Sequence, residues 1–372
     1  MRGDESKRSN MFHYFCIEDR IPRNHPLREI KKHTETALRS LNPWFNTLYS
    51  DEGRPSVPPE TLLKAQLLMA LYTARSDRMF CERLNFDLLF RWFLDMDMEQ
   101  PPFDHSTFSK NRMRLLEQET AQKFLQAVVN IAREHALLSD EHFTIDGTLI
   151  EAWASMKSFR RKDGNDRQQG KDDDNDPGNP SVDFHGEKRT NDTHASTTDA
   201  AARLYRKSKG TGAQLAYCGS ALMENRNGLI VDATVSSATG TAERDDSLKL
   251  LRREKQRHQR QGRPLPRTVG ADKNFCTKAF VAAVRATGLL PHIARKKCTT
   301  PGLDGRTTRH ATFSVSQRIR KMIEEAFGWT KTVGGIRKVR VRGIPKVAGV
   351  ALLNFAAYDL LRISRLVAPS SG

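Results

Sequence analysis

Phe143-Thr144-Ile145-Asp146-Gly147-Thr148-Leu149 is a short β-prone run that carries one acid. Downstream, two more such runs, Gln214 to Met223 and Leu229 to Val235, flank Glu224-Asn225-Arg226-Asn227-Gly228. Its Asn-Gly pair is a strong hairpin-turn signal. A helix rich in Lys and Arg is expected from about Ala242 to Arg257. After it come a strand at Arg267 to Ala271, a helix from about Thr277 to Ala286, a strand at Leu289 to Ala294 and a helix from about Ser316 to Phe327.

Three consecutive strands followed by alternating helices and strands is the order of an α/β, ribonuclease H-like core, a mixed sheet flanked by helices. Ahead of it, from Pro26 to about Leu138, apolar residues recur at helical spacing, as in Leu62, Leu63, Leu67, Leu68 and Leu71 after Pro58-Pro59. The last long helix there should start near Asp104, an N-cap type, and run through Phe108, Met113, Leu115 and Leu116 to the early 130s. The expected organisation is therefore an all-helical N-terminal domain over 1–138 and a catalytic domain over 139–372. Between about 153 and 205, Asp172-Asp173-Asp174, Arg160-Arg161-Lys162 and few apolar residues predict an insertion or a mobile loop.

The 372 residues carry 61 Lys+Arg against 44 Asp+Glu, a formal charge of +17. That excess suits a polyanionic partner and is hard to reconcile with an enzyme of small neutral metabolites. The five cysteines (Cys16, Cys81, Cys218, Cys276, Cys298) are widely spaced, without a C-x-x-C pair. They predict reduced thiols rather than a zinc knuckle or a disulfide framework. Arg2, Asp4, Glu5, Lys7 and Arg8 open the chain with no apolar run behind them, and a cytosolic protein is expected.

Asp146 and Asp272 fall at the ends of the first and fourth strands, which are neighbours in such a sheet. Metal-assisted phosphodiester cleavage needs carboxylates converging from separate elements on two hard cations about 3.5 to 4 Å apart. Oxygen ligands without a Cys or His cluster favour Mg²⁺ or Mn²⁺ over zinc. On spacing alone Asp232 competes with Asp272, although its place between Val231 and Ala233 reads as an exposed point on a sheet face. Asp245 and Asp246 sit in a first helical turn, where the dipole favours acids.

Longer motifs carry a resemblance. Gly53-Arg54-Pro55-Ser56-Val57-Pro58-Pro59-Glu60, Leu89-Phe90-Arg91-Trp92-Phe93 and Asp146-Gly147-Thr148-Leu149-Ile150-Glu151-Ala152-Trp153-Ala154-Ser155 resemble bacterial insertion-sequence transposases of the DDE superfamily, in the family conventionally numbered five. So do Glu224 to Leu229, Gly270-Ala271-Asp272-Lys273 and Glu324-Glu325-Ala326-Phe327-Gly328-Trp329, and the similarity runs from about Phe12 to Leu366. It implies that Asp146, Asp272 and Glu324 hold two divalent cations. Water then cuts a phosphodiester at a terminal inverted repeat, and the freed 3′-OH attacks target DNA. It also implies double-stranded DNA as partner, a homodimer in the DNA complex, and a bacterial, nucleoid-associated setting.

The family signature is Tyr, two residues, Arg, three residues, Glu, six residues, Lys. Arg320, Glu324 and Lys331 fit it; the resemblance implies phosphate contacts for Arg320 and Lys331, while Arg320, four residues before Glu324, equally suits a helix ion pair. Gln317 stands at the Tyr position, and Asn274-Phe275 replaces the usual Gly-Tyr after Asp-Lys. The helical wheel alone does not choose between Glu324 and Glu325; only the family spacing selects Glu324. Lys110, Arg112 and Arg114, with Asn111, suit a helix-turn-helix-like unit reading DNA ends, or equally a solvated helix face. Arg252-Arg253, Arg295-Lys296-Lys297 and Arg337-Lys338 suit phosphate contacts. Trp329 suits base stacking or core packing. A non-catalytic end-binding repressor and a nuclease that cuts without joining are the competing readings.

Overall fold

In the computed structural model of the chain, the run around Asp146 is the central strand of a sheet, β1, His142–Glu151. The structure describes residues 16–367 apart from 51, 54–55, 118, 164–182, 185–186, 207–211 and 297–302. Asp172 to Asp174, Lys297, Cys298 and the N-terminal charges lie outside the described residues.

β2, Gln214–Glu224, pairs antiparallel with β1 from Phe143↔Glu224 to Glu151↔Ala216. β3, Ile230–Ser237, pairs antiparallel with β2. β4, Thr268–Ala271, lies parallel to β1, and β5, Leu290–Ile293, parallel to β4. The sheet order is thus β5-β4-β1-β2-β3, with the short strand Arg203–Tyr205 sharing the outer edge of β2. This is the mixed, ribonuclease H-like sheet expected from the element order. The β2–β3 turn closes on Gly228 at φ +68°, and the buried Glu224 carboxylate accepts the N–H groups of Arg226 (2.8 Å) and Asn227 (2.6 Å).

The main helices are α1 Leu27–Ser40, α2 Pro59–Leu71, α3 Asp77–Arg83, α4 His105–Glu117 and α5 Thr120–Glu134 in the N-terminal region. They continue as α6 Ala242–Arg260, α7 Lys278–Ala286, α8 Ala311–Ile319, α9 Met322–Thr332 and α10 Ile344–Val367. Two of the expected helices are broken. The one from Asp104 to the early 130s is the pair α4 and α5, and the one from Ser316 is the pair α8 and α9. At the second break, Lys321 N–H bonds the carbonyl three residues back and Ile323 does the same, a tightened 3₁₀-type link.

α10 was not anticipated. It is apolar around its whole circumference, so it has no periodic stripe to read. By length and composition it could cross a membrane, but 78% of its most apolar stretch is buried, so it reads as a core helix. It packs on α5, α4, α2 and β3, and Asp359 accepts the N–H of Ile230 at 2.9 Å. Gln122 and Gln126 of α5 bond Asp232 and the Val231 carbonyl of β3. One continuous hydrophobic cluster therefore runs through both the helical region and the sheet, across residue 138.

Part of the expected insertion is ordered. Phe159–Arg161 pairs with His194–Ser196, Phe159 is buried, and the His194 ring stacks on it with centroids 5.4 Å apart.

Candidate catalytic site

β1 and β4 are in parallel register at Thr144↔Gly270. Two residues further on, Asp146 stands within β1 and Asp272 just past the end of β4. The parallel alignment brings the two acids near each other, close enough for the Asp272 charge to act on the Asp146 carboxyl. Asp146 accepts the Gly147 N–H at 2.8 Å. Asp272, half-buried, caps the 3₁₀ turn Lys273–Phe275 by accepting the Asn274 N–H at 2.7 Å. Phe275, in the place where the family resemblance puts Tyr, is buried against Phe280 with ring centroids 5.2 Å apart. The two departures thus meet an intact turn.

Burial pushes the Asp146 carboxyl up to about 7; Asp272 and Glu243 beside it push the same way, against the Gly147 N–H and the Arg320 guanidinium. A buried carboxyl facing other carboxylates favours the neutral form unless positive charge is brought to it. Perturbation of this kind, in a group flanked by specific charge partners, marks candidate functional sites.

Arg320 lies at the α8–α9 break. Its Nε donates to Gln317 Oε1 at 3.0 Å, and Gln317 Nε2 donates to the His292 carbonyl of β5 at 2.5 Å. Gln317, the departure from Tyr, therefore links Arg320 to the sheet. Arg320 passes over Gly270 of β4: a Cβ there would lie in ordinary contact, 3.7 Å, with Arg320 Cβ and more tightly, 3.3 Å, against Thr144 Oγ1.

Glu324 stands one helical turn beyond Arg320, in the first turn of α9, exposed. Among the described residues its carboxylate makes no hydrogen bond or ion pair, whereas Glu325 faces Arg362 at 3.6 Å. Asp146, Asp272 and Glu324 do not converge within 4.8 Å of one another among the described residues. Lys331 is half-exposed two turns beyond Glu324, on the same face of α9.

Sequence reasoning missed Glu243. It lies in the first turn of α6, where an acid reads as a dipole partner, and only the packing brings its Cγ to 2.6 Å from where a Gly147 Cβ would be. Asp232 is corrected in the other direction: it is fully buried, not on an exposed face, and is neutralised by Arg253 (2.8 Å) and Arg257 (2.7 Å). Asp246 is buried too, bonding Ser236 and Lys249.

Asp140, Glu254 and His258 do bring their ligand atoms within 4.8 Å. Guanidinium groups already fill that space. Arg263 lies 2.7 Å from Asp140 and 3.0 Å from His258 Nε2, and Arg257 lies 2.6 Å from Glu254. Despite burial, His258 and Arg257 hold the Glu254 carboxyl down to about 2. This is an ion-pair network, not a metal centre.

Of the three basic residues expected on α4, Arg112 turns inward. It is buried, donating to Gln66 (2.9 Å) and Asp77 (2.8 Å), so it ties α2, α3 and α4 together. Lys110 and Arg114 remain exposed. Arg253 is likewise spent on Asp232, while Arg252 and Arg295 are exposed. Trp329 packs beside Tyr358, ring centroids 5.9 Å apart.

The model of the transposase domain known as DUF772 matches residues 15–114, and that of the transposase DDE domain matches residues 190–360. The chain belongs to the DDE transposases. Members of this family use divalent metal, and the oxygen-only donors around Asp146 fit a hard cation. A search of curated proteins finds no match. Among solved structures, this transposase is similar to a piggyBac transposase synaptic complex with hairpin DNA, at 10% identity and a TM-score of 0.39, covering 92% of this chain and 76% of that one. It is also similar to a pre-cleavage Mos1 transpososome, at 11% identity and a TM-score of 0.21, covering 88% and 87%.

Proposed function

We propose that the transposase cuts DNA at the terminal inverted repeats of an insertion sequence and joins the freed end to target DNA. Asp146, Asp272 and Glu324 hold two divalent cations, Mg²⁺ or Mn²⁺. The observation that carries this reading is the nearness of Asp146, on β1, to Asp272, just past the end of the adjacent β4, with the Asp146 carboxyl pushed up to about 7 by burial and by its acidic neighbours. The uncommitted Glu324 supports it as third ligand, where Glu325 already has Arg362.

Bound there, the cations would activate the attacking oxygen and stabilise the leaving one. Arg320, held by Gln317, presents positive charge to the phosphate beside Asp146. In the first step water forms a bond to phosphorus while the bond to the 3′ oxygen breaks. In the second, that 3′-OH forms a bond to a target phosphorus and displaces a target 3′ oxygen, without a covalent enzyme intermediate.

Lys110 and Arg114 would contact the element's ends from the helical region over 1–138, with Lys331 on phosphate near the scissile bond. We assign the chain to the insertion-sequence family numbered five on its motifs. It would work as a homodimer on paired ends, in the bacterial cytoplasm at the nucleoid. The test is incubation with Mg²⁺ and a duplex carrying the DNA that flanks the gene, together with a target plasmid. Products longer than the substrate strands are expected. Nicks without joined products would make the chain a nuclease, and binding without nicks a repressor.

A further inference from the structure

From Ala326 to Tyr358 the chain has six cations, Lys331, Arg337, Lys338, Arg340, Arg342 and Lys346, and no acid. Four of them fall in the stretch Ile336–Arg342 between α9 and α10. There Ile336, Val339 and Val341 are 1%, 2% and 4% exposed, while Arg337, Lys338, Arg340 and Arg342 face solvent. The buried aliphatics pin the backbone, so the cations are aimed outward from a fixed line.

That line is tied to the catalytic strand. Glu151 N–H donates to the Arg337 carbonyl and Val339 N–H to the Glu151 carbonyl, both at 3.0 Å, and the Gly343 N–H donates to the buried Tyr217 hydroxyl at 3.1 Å. Lys338 pairs with Glu151 at 2.5 Å and lies 6.0 Å from the ring of Trp153, a tryptophan 43% exposed. Among the described residues, Arg337, Arg340 and Arg342 make no side-chain hydrogen bond or ion pair. On a merely solvated face, acids interleave with the cations and neutralise them; here Glu151 meets Lys338 alone, and the three arginines have no acid beside them among the described residues.

We propose that Arg337–Arg342, with Trp153 beside it, is a DNA track that grips the backbone some distance from the scissile phosphate. This rests on the reading of the acidic site as a DNA-cutting centre. Glu151 is five residues along β1 from Asp146, about 17 Å at ~3.3 Å per residue. At 3.4 Å of helix axis per base pair, that places the track about five base pairs from the cut. Arginine guanidinium groups suit phosphate oxygens through paired donors, and the exposed indole offers a face to a base or sugar. An acidic protein is the other ligand such a strip could take, and the absence of DNA dependence would reveal it.

The test uses the full chain and an end-carrying duplex without divalent ions, with affinity measured from about 50 to 200 mM salt. Replacing Arg337, Arg340 and Arg342 together by Ala should make the slope of log affinity against log salt shallower by about 2 to 3, since each phosphate contact contributes about 0.9. Replacing all three by Lys should restore the slope, because counterion release depends on charge. Quenching of tryptophan fluorescence by the duplex should be smaller in Trp153→Phe than in the wild type, a readout independent of the triple variants. A triple-Ala slope equal to that of the wild type, or a triple-Lys slope as shallow as triple-Ala, would overturn the proposal. Nicking by the wild type in Mg²⁺ on the same duplex is read separately. A wild type that binds but never nicks defeats the catalytic reading and not the track; one that nicks, with an unchanged triple-Ala slope, defeats the track alone.

Discussion

Replacing Asp146 by Asn should make the metal-free protein more stable, and increasingly so as pH rises. The carboxyl goes from an ordinary 3.8 to about 7 in the folded chain, with burial the largest cause. Folding therefore opposes its ionisation. Below pH ~4 the group is protonated in both states and makes no difference; the destabilisation grows through the interval and is complete above pH ~7. A shift of about 3 units corresponds to ~4 kcal/mol at ~1.4 kcal/mol per unit. Asn is nearly isosteric and keeps an oxygen to accept the Gly147 N–H, so the removed charge is the main change. Urea unfolding in EDTA should show the variant ahead of the wild type by an amount that increases by about 2.5 kcal/mol between pH 5 and pH 8. Added Mg²⁺ should then stabilise the wild type and not the variant. A stability difference that stays flat across this range, or a variant weaker than the wild type at pH 8, would refute the buried-charge argument.

Gly349 of α10 lies against α4, where a Cβ would meet the Leu116 carbonyl and side chain at 2.9 Å. Gly349→Ala should cost about 1 to 3 kcal/mol by denaturant unfolding, since backbone cannot give way as a flexible side chain does. Arg112→Ala should cost about 1 to 3 kcal/mol by leaving Gln66 and Asp77 without their partner, with any loss of DNA binding tracking the loss of folded protein. By contrast, Lys110→Ala with Arg114→Ala should leave the melting temperature within a few degrees and weaken binding to the element's ends more than to random duplex. Equal loss on both DNAs would make them backbone contacts.

The strands were legible because β-branched runs and the Asn-Gly turn act locally, and the order of elements then implied the sheet. What failed to show was whatever depends on distant partners. Asp232 lies between two apolar residues on β3 and reads as exposed, yet Arg253 and Arg257, one helical turn apart on α6, reach it only in the fold. Glu243 looks like any acid at a helix start until the absence of a side chain at Gly147 lets it sit beside the site. The break at Arg320–Lys321 falls among good helix formers and carries no local signal. Of the basic trio on α4, nothing in the spacing distinguishes the inward Arg112 from its exposed neighbours. The motif around Glu324 was legible through family spacing; the choice over Glu325 gains a physical basis only from the contact of Glu325 with Arg362.

The central claim is that three carboxylates, from two adjacent strands and the start of α9, carry metal-dependent DNA cleavage. Single-turnover nicking of an end-carrying duplex in Mg²⁺, with binding measured alongside, tests it directly. Asp146→Asn, Asp272→Asn and Glu324→Gln should bind the duplex and leave it uncut. Glu325→Gln, which gives up only a surface pair worth about 0.2 to 1 kcal/mol, should cut like the wild type. Wild-type cleavage by any of the first three, or a folded Glu325→Gln protein that cannot cut, would contradict the assignment.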